Sequence, residues 1–236
     1  MEKKPIYTIL SFPPEEIDNI PKSYGWNTTE KLGPIHNELG WRLVDFCRIH
    51  QIVYQQINKS NKKLDEIEIE PFTANPMDIE NLGTARRMSW LIGKEFEHKR
   101  IINFVDHMTV VGLWAICEQF LGKIYRAYIS EKDNIEESTI SAPYRWNDFL
   151  SSFSDNGIDL TTCDNYSNAN ECRALNNAIK HEPKVTERLT QFDYFTNHLN
   201  KELEEIELEM QRYLNGVSDF LGSLIEKGSG IIKNAP

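Results

Sequence analysis

IINFVDHMTVVGLWAICEQFLGKIYRAY, residues 101–128, is the stretch that decides the fold class. Ile101, Phe104, Val105, Met108, Val111, Ala115 and Ile116 return every three or four positions, the period of a helix and not of a strand. Leu113, Cys117, Phe120, Leu121, Ile124 and Tyr128 extend the apolar surface around that helix, so the segment is expected to be a long, central, largely buried one. The helical pattern reaches outward to about residues 78–131, opened by Asn75-Pro76. Gly93, Gly112 and Gly122 mark close packing, or a bend near Gly93. Glu118 falls in line with Val111, Ala115 and Gly122. Its carboxylate either points inward, toward Arg173 or an amide of Asn176 and Asn177, or sits exposed at the edge of the stripe.

The flanking segments read as further helices. Residues 1–27 form an extended arm, with Ile6–Leu10 β-prone and Pro13-Pro14 and Pro21 breaking any helix. A helix starting at Thr28 or Thr29 runs through Leu39, Leu43, Cys47, His50 and Ile57 to a polar end at Asn58–Lys63. Ile67-Glu68-Ile69 alternates briefly and is a candidate to pair with Ile6–Leu10 as a small β ribbon. A short helix, Arg145–Ser154, buries Trp146, Phe149, Leu150 and Phe153 and stops at Asp155-Asn156-Gly157. A polar connector, Asp159–Ser167, leads to a helix capped by Ser167 or Asn168 and ended by Pro183. The last helix covers about Asp193–Lys227 and dissolves at Gly228-Ser229-Gly230. The expected fold is all-α: an up-and-down helical bundle with long central and C-terminal helices, divided into an arm (1–27), a helical domain (28–228) and a flexible tail (229–236).

Composition narrows the function classes. In 236 residues, 40% hydrophobic and 11% aromatic content supports a folded core rather than disorder. No apolar run approaches the roughly 18 residues of a membrane span, and Met1-Glu2-Lys3-Lys4-Pro5 lacks a secretory h-region, so a cytoplasmic location and no membrane partner are expected. Cys47, Cys117, Cys163 and Cys172 show no CxxC spacing and read as buried free thiols. The six histidines show no metal-ligand spacing, so neither a metal nor another cofactor is expected. A net charge of −10 disfavours a broad nucleic-acid-coating surface. Charge is nevertheless uneven. Arg86 to Arg100 holds five Lys or Arg against Glu95 and Glu97, whereas Lys201 to Arg212 holds two against five Glu. Arg87, Lys94 and His98 share one helical face, either a solvated surface or a basic track for a phosphate backbone.

The helix NECRALNNAIKHEP, residues 170–183, concentrates polar side chains. Arg173, Asn177 and His181 step one turn apart, and Asn176 and Lys180 form a second i, i+4 pair beside them. Ala174, Leu175, Ala178 and Ile179 supply an apolar side. Two readings stand. One is a phosphate-gripping, proton-moving surface. The other is structural: Lys180 and His181 complement the helix C-terminus, the asparagines bond neighbouring helices, and Arg173 neutralises Glu118 or Glu171.

This pattern resembles the HEPN superfamily (higher eukaryotes and prokaryotes nucleotide-binding). The likeness lies in the long helix carrying Glu118, the order Trp146-Asn147-Asp148-Phe149-Leu150, the polar connector, then Asn170-Glu171-Cys172-Arg173 and Asn176-Asn177-Ala178-Ile179-Lys180-His181 before a last long helix. It covers roughly residues 30–227 in architecture and about a dozen motif positions. The family signature is Arg, four to six residues, then His, commonly with a polar residue after the Arg. Here seven residues separate Arg173 from His181, and Ala174 follows the Arg. The resemblance implies a compact helical homodimer acting as a metal-independent endoribonuclease, with RNA as substrate and an antitoxin or defence-system protein as partner. It also implies an inactive alternative, a nucleotide-binding or protein-interaction module. In the nuclease, Arg173 would hold the phosphate oxygens and His181 would move the proton, since an imidazole ordinarily titrates near pH 6.5. Asn177 would orient the phosphate or the imidazole, Asn176, Lys180 and Lys184 would attract the backbone, and Glu118 would support the site.

Overall fold

The structure, a computed structural model, describes residues 7–11, 28–75 and 77–234. Five α-helices account for most of it: α1 (Leu32–Asp65), α2 (Ile79–Asp133), α3 (Trp146–Asp155), α4 (Tyr166–His181) and α5 (Met210–Lys233). Among the described residues there is no β-strand, only an isolated antiparallel bridge between Lys184 and Glu202. The all-α expectation holds. Most of the expected arm lies outside the described residues. The chain divides into two compact units, Met1–Leu10 with Arg48–Asp106 and Ser11–Cys47 with His107–Pro236. Helices α1 and α2 each contribute to both.

In the first unit, Tyr54 and Ile57 of α1 pack with Ile102 of α2, and Tyr7, Ile9, Val53 and Val105 close around them. The expected ribbon does not form. Instead Tyr7 N–H donates to Asn58 Oδ1 (2.9 Å), Asn58 Nδ2 donates to the Tyr7 carbonyl (2.8 Å), and Gln51 Nε2 donates to the Leu10 carbonyl (2.8 Å). Side chains of α1 thus satisfy the extended segment's backbone, and residues 67–69 have no strand partner to meet. His98 is 7% exposed and bonds Asn61 and Ser60, so it does not join Arg87 and Lys94 on a surface track.

α2 runs unbroken through Gly93, but its two apolar faces have opposite fates. Leu113, Cys117, Phe120, Leu121, Ile124 and Tyr128 are buried as expected. Ile101 (36%), Phe104 (64%) and Met108 (46%) are exposed, and so is Ala115, because the helix packs through the other side, by way of Ile102, Thr109 and Leu113. One 18-residue window of α2 is apolar enough, by length and composition, to cross a membrane, and 39% of that window is buried within the fold.

The second unit's core joins α2 to Phe149 and Phe153 of α3, Cys172 and Leu175 of α4, and Tyr213, Val217 and Phe220 of α5, all buried. α4 and α5 approach closely at Gly216, where a Cβ would lie 2.7 Å from the Asn168 Cβ and 3.1 Å from the Ala169 nitrogen. Two expectations about the C-terminal third are corrected. Residues 193–209 are not α-helical and hold only two single 3-10 turns, Asp193–Phe195 and Leu203–Glu205. Val185 N–H donates to the Lys201 carbonyl, and Asn200 and Leu203 donate to the Val185 and Pro183 carbonyls, each at 2.9 Å. Asn200 turns at φ 66, and this folded-back loop buries Phe195 and Leu203 without helical period. Conversely, α5 does not dissolve at Gly228. It continues to Lys233, since Gly228 lets the helix lie where a Cβ would be 3.2 Å from the Tyr128 ring and 3.3 Å from Leu32. Thr29 N–H also donates to Ser229 Oγ (3.3 Å), so packing outweighs the roughly 1 kcal/mol helix cost of each glycine.

A cationic cleft beside helix α4

The roll of α4 is fixed by the positions it buries: Ala169, Glu171, Cys172, Leu175 and Asn176. Its first residue is Tyr166, preceded by Asn165 at φ 53, so neither Ser167 nor Asn168 is the cap. The Glu171 carboxylate, 3% exposed, is neutralised by Arg212 of α5. Arg212 Nη2 donates to Glu171 Oε1 (2.6 Å), and Nη1 donates to Oε2 (2.9 Å). Tyr213 Oη donates to Glu171 Oε1 (2.8 Å), and Asn168 Oδ1 accepts from Arg212 Nη1 (2.8 Å). Burial pushes the Tyr213 phenol up, and the Glu171 carboxylate pushes it further.

That clasp decides the status of Arg173. Glu171 belongs to Arg212, and Glu118 accepts from the indole Nε1 of its own Trp114 at 2.8 Å. Arg173 therefore has no carboxylate partner among the described residues. Its one hydrogen bond there is Nε to Asn170 Oδ1 (2.9 Å), and its guanidinium lies 5.4 Å from the Trp146 ring centroid. Burial lowers its pKa from the ordinary arginine value, Tyr166 opposes that, and Arg188 adds to it; the group remains a cation at neutral pH.

Arg173 and Asn177 open into a cleft of about 890 Å³, walled also by α2, residues 140–145 and the start of α3. Its size falls within the usual range of small-ligand sites, about 300–1,000 Å³. Four cations line it: Lys123, Arg126, Arg145 and Arg173. Among the described residues Glu118 is its one lining carboxylate. Lys123 is paired with Glu38 at 2.5 Å, whereas Arg126 and Arg145 have no ion pair among the described residues. Tyr144, 92% exposed, stands at the rim as a free aromatic surface, while Trp146 is held by Trp114 (5.5 Å) and Tyr166 (6.1 Å). The arrangement suits an anion carried by a planar group, because guanidinium forks match phosphate oxygens and phenol rings stack on bases.

The other expected site residues lie elsewhere. His181, last in α4, is exposed, lines no part of the cleft and makes no hydrogen bond among the described residues. Eight residues along the helix place it about 12 Å from Arg173. Lys180 is exposed in the last turn of α4, and Lys184, beyond the helix end, is paired with Glu182 at 2.6 Å, which raises its pKa. Asn176 is 1% exposed; its Nδ2 donates to Asn177 Oδ1 (3.3 Å), and its own Oδ1 has no hydrogen-bond partner among the described residues. Of the expected set, the structure brings together Arg173, Asn177 and Glu118 only. Sequence reasoning missed Lys123, Arg126, Tyr144 and Arg145. The signal was present in Tyr144-Arg145-Trp146, where a cation sits between aromatics, and in Lys123 and Arg126 at i, i+3. Among the described residues no group of three His, Cys, Asp or Glu gathers to hold a metal. Comparison with protein-family models, curated proteins and solved structures gave no match.

Proposed function

We propose that this chain is a HEPN-like helical module that binds the phosphates of a nucleotide or of single-stranded RNA in the cleft beside α4. The observation that carries this reading is a charge inversion. On a chain of net charge −10, the cleft gathers four cations around one carboxylate, and three of those cations have no ion-pair partner among the described residues. Arg126, Arg145 and Arg173 would take phosphate oxygens, Asn177 would add an amide, and Tyr144 would stack on a base. The test is titration of fluorescein-labelled oligoribonucleotide and of ATP by anisotropy. Arg126→Glu is expected to abolish binding of both with the helical spectrum unchanged; undiminished binding would refute the proposal.

A second reading, RNA cleavage in a toxin-type or defence setting, draws on one further observation. His181 is exposed on the same side of α4 as Arg173 and Asn177, yet too far along the axis to share a phosphate with Arg173. Cleavage therefore requires the imidazole of a second copy, as a homodimer would supply. The imidazole would take the proton of the attacking 2′-hydroxyl and return one to the departing 5′-oxygen, with Arg173 holding the phosphate. If this is correct, Arg173→Ala and His181→Ala variants are each inactive and regain cleavage when mixed. Cleavage surviving His181→Ala would exclude it.

A further inference from the structure

One side chain in the cationic cleft is chemically out of place. Among the described residues that line it, Glu118 alone carries a negative charge. A carboxylate repels phosphate and only accepts hydrogen bonds. In a cleft that binds phosphates it must therefore face another part of the ligand, one that donates. Glu118 is exposed and has capacity left for this. The Trp114 indole Nε1 donates to its Oε1 (2.8 Å), while its Oε2 has no hydrogen-bond partner among the described residues. Glu118, Gly122 and Arg126 follow one another at single turns of α2, which sets Glu118 and Arg126 about 12 Å apart along the axis. Their heads keep that separation because each leans back one turn. Glu118 reaches Trp114, and Arg126 Nη1 lies 3.8 Å from the place a Gly122 Cβ would occupy. This wall thus carries an acceptor at one end, a guanidinium at the other and a glycine between them.

A nucleotide has the matching polarity, with phosphates at one end and the Watson–Crick edge of its base at the other. Its ribose hydroxyls stand on the sugar that carries the phosphates, so pairing them with Glu118 would bring like charges together. The bases differ in what they offer a carboxylate. Adenine and cytosine place one amine beside a bare ring nitrogen, whose lone pair a carboxylate repels, and uracil places one N–H between two carbonyls. Guanine alone presents two neighbouring donors, N1–H and N2–H, which match the two oxygens of a carboxylate in one plane. Its O6 beside them requires a donor. Asn177 has one to give, since its Oδ1 is occupied by Asn176 Nδ2 (3.3 Å) and its own Nδ2 remains to donate. Tyr144, standing at the rim, offers a face on which a purine stacks. We propose that the cleft selects guanine nucleotides, with Glu118 accepting from N1–H and N2–H as the specificity-determining residue. This assignment rests on the cleft's binding of phosphates.

Isothermal titration calorimetry of the full chain with GTP, dGTP, ITP and ATP tests it. GTP is expected to bind at least about tenfold more tightly than ATP, the discrimination that a bidentate base contact ordinarily gives. ITP, which lacks the 2-amino group, is expected to fall between them, and dGTP to match GTP. Glu118→Gln keeps an acceptor for the Trp114 indole but loses the second oxygen. It is expected to weaken GTP binding about tenfold and to level the GTP and ATP affinities, a change of ratio that misfolding cannot produce. Equal binding of GTP and ATP by the unaltered chain, with both abolished by Arg126→Glu, overturns the guanine assignment and leaves phosphate binding standing. A GTP preference that survives Glu118→Gln overturns it too. So does weaker binding of dGTP than of GTP in a manner that Glu118→Gln removes, which would place ribose at the carboxylate. Failure of both GTP and ATP to bind overturns phosphate binding and guanine selection together.

Discussion

Replacing Arg212 by Met removes half of the clasp that ties α4 to α5. Glu171, 3% exposed, then keeps only the Tyr213 hydroxyl of its three hydrogen bonds. Two charge-assisted bonds at about 1.5–3 kcal/mol each give a gross loss of about 3–6 kcal/mol. Part of it returns because Arg212, whose side chain is 26% exposed, was never fully dehydrated. The expected net cost is about 3 kcal/mol, at the low end for opening a buried ion pair. At about 2–4 °C per kcal/mol for a chain of this size, the melting temperature falls by about 6–12 °C. Urea unfolding followed by far-ultraviolet circular dichroism, with Glu171→Met and the double variant completing a cycle, measures the coupling. The double variant should cost at least about 2 kcal/mol less than the sum of the single ones, because neither strands a charge. Additive costs, or a loss below about 1 kcal/mol for Arg212→Met, would refute the assignment of Arg212 as the partner that neutralises Glu171.

Gly216→Ala drives a methyl to 2.7 Å from the Asn168 Cβ and toward backbone, so an overpacking cost of about 1–3 kcal/mol is expected in the same unfolding assay. The four thiols are buried, and burial pushes Cys163 up to about 11 and Cys47 up to about 12, with Cys117 and Cys172 raised as well. Native protein at pH 8 should consequently react with a disulfide reagent slowly, and all four thiols should react after unfolding. Burial also raises the phenol of Tyr213, with Glu171 adding to the shift, and burial raises Tyr128, Tyr166 and Tyr194. A phenol whose folded pKa exceeds its unfolded value, about 10, contributes stability that is complete below pH 10 and lost above it. Urea stability should accordingly decline above pH 10, and Tyr213→Phe should flatten that decline.

Helical period in residues 101–128 made the all-α class legible, and Pro183 marked the end of α4 correctly. Period alone could not tell which of two apolar faces of α2 turns inward, because Ile101, Phe104 and Met108 are spaced as helically as Leu113, Cys117 and Phe120. Burial depends on what the rest of the chain brings to the helix. The absence of an α-helix over 193–209 escaped for a related reason: Leu199, Leu203 and Ile206 keep a helical spacing, yet backbone bonds to Pro183 and Val185 fold the segment back. At the site, the density of polar groups on α4 was readable, but the allocation of charges was not. Only tertiary structure shows that Arg212, 41 residues beyond Glu171, takes that carboxylate and leaves Arg173 for the cleft. The cations across the cleft come from α2 and the segment before α3, so no local motif unites them.

The salt dependence of RNA binding tests the cleft most directly. Three arginines engaging phosphates of a single strand imply a slope of log K against log salt near −2, at about 0.7 per contact. Arg126→Ala and Arg173→Ala should each flatten that slope by about 0.7, while Arg87→Ala on the exposed face of α2 should leave it unchanged. A slope insensitive to both cleft arginines, or one flattened instead by Arg87→Ala, would place phosphate binding elsewhere and contradict the account.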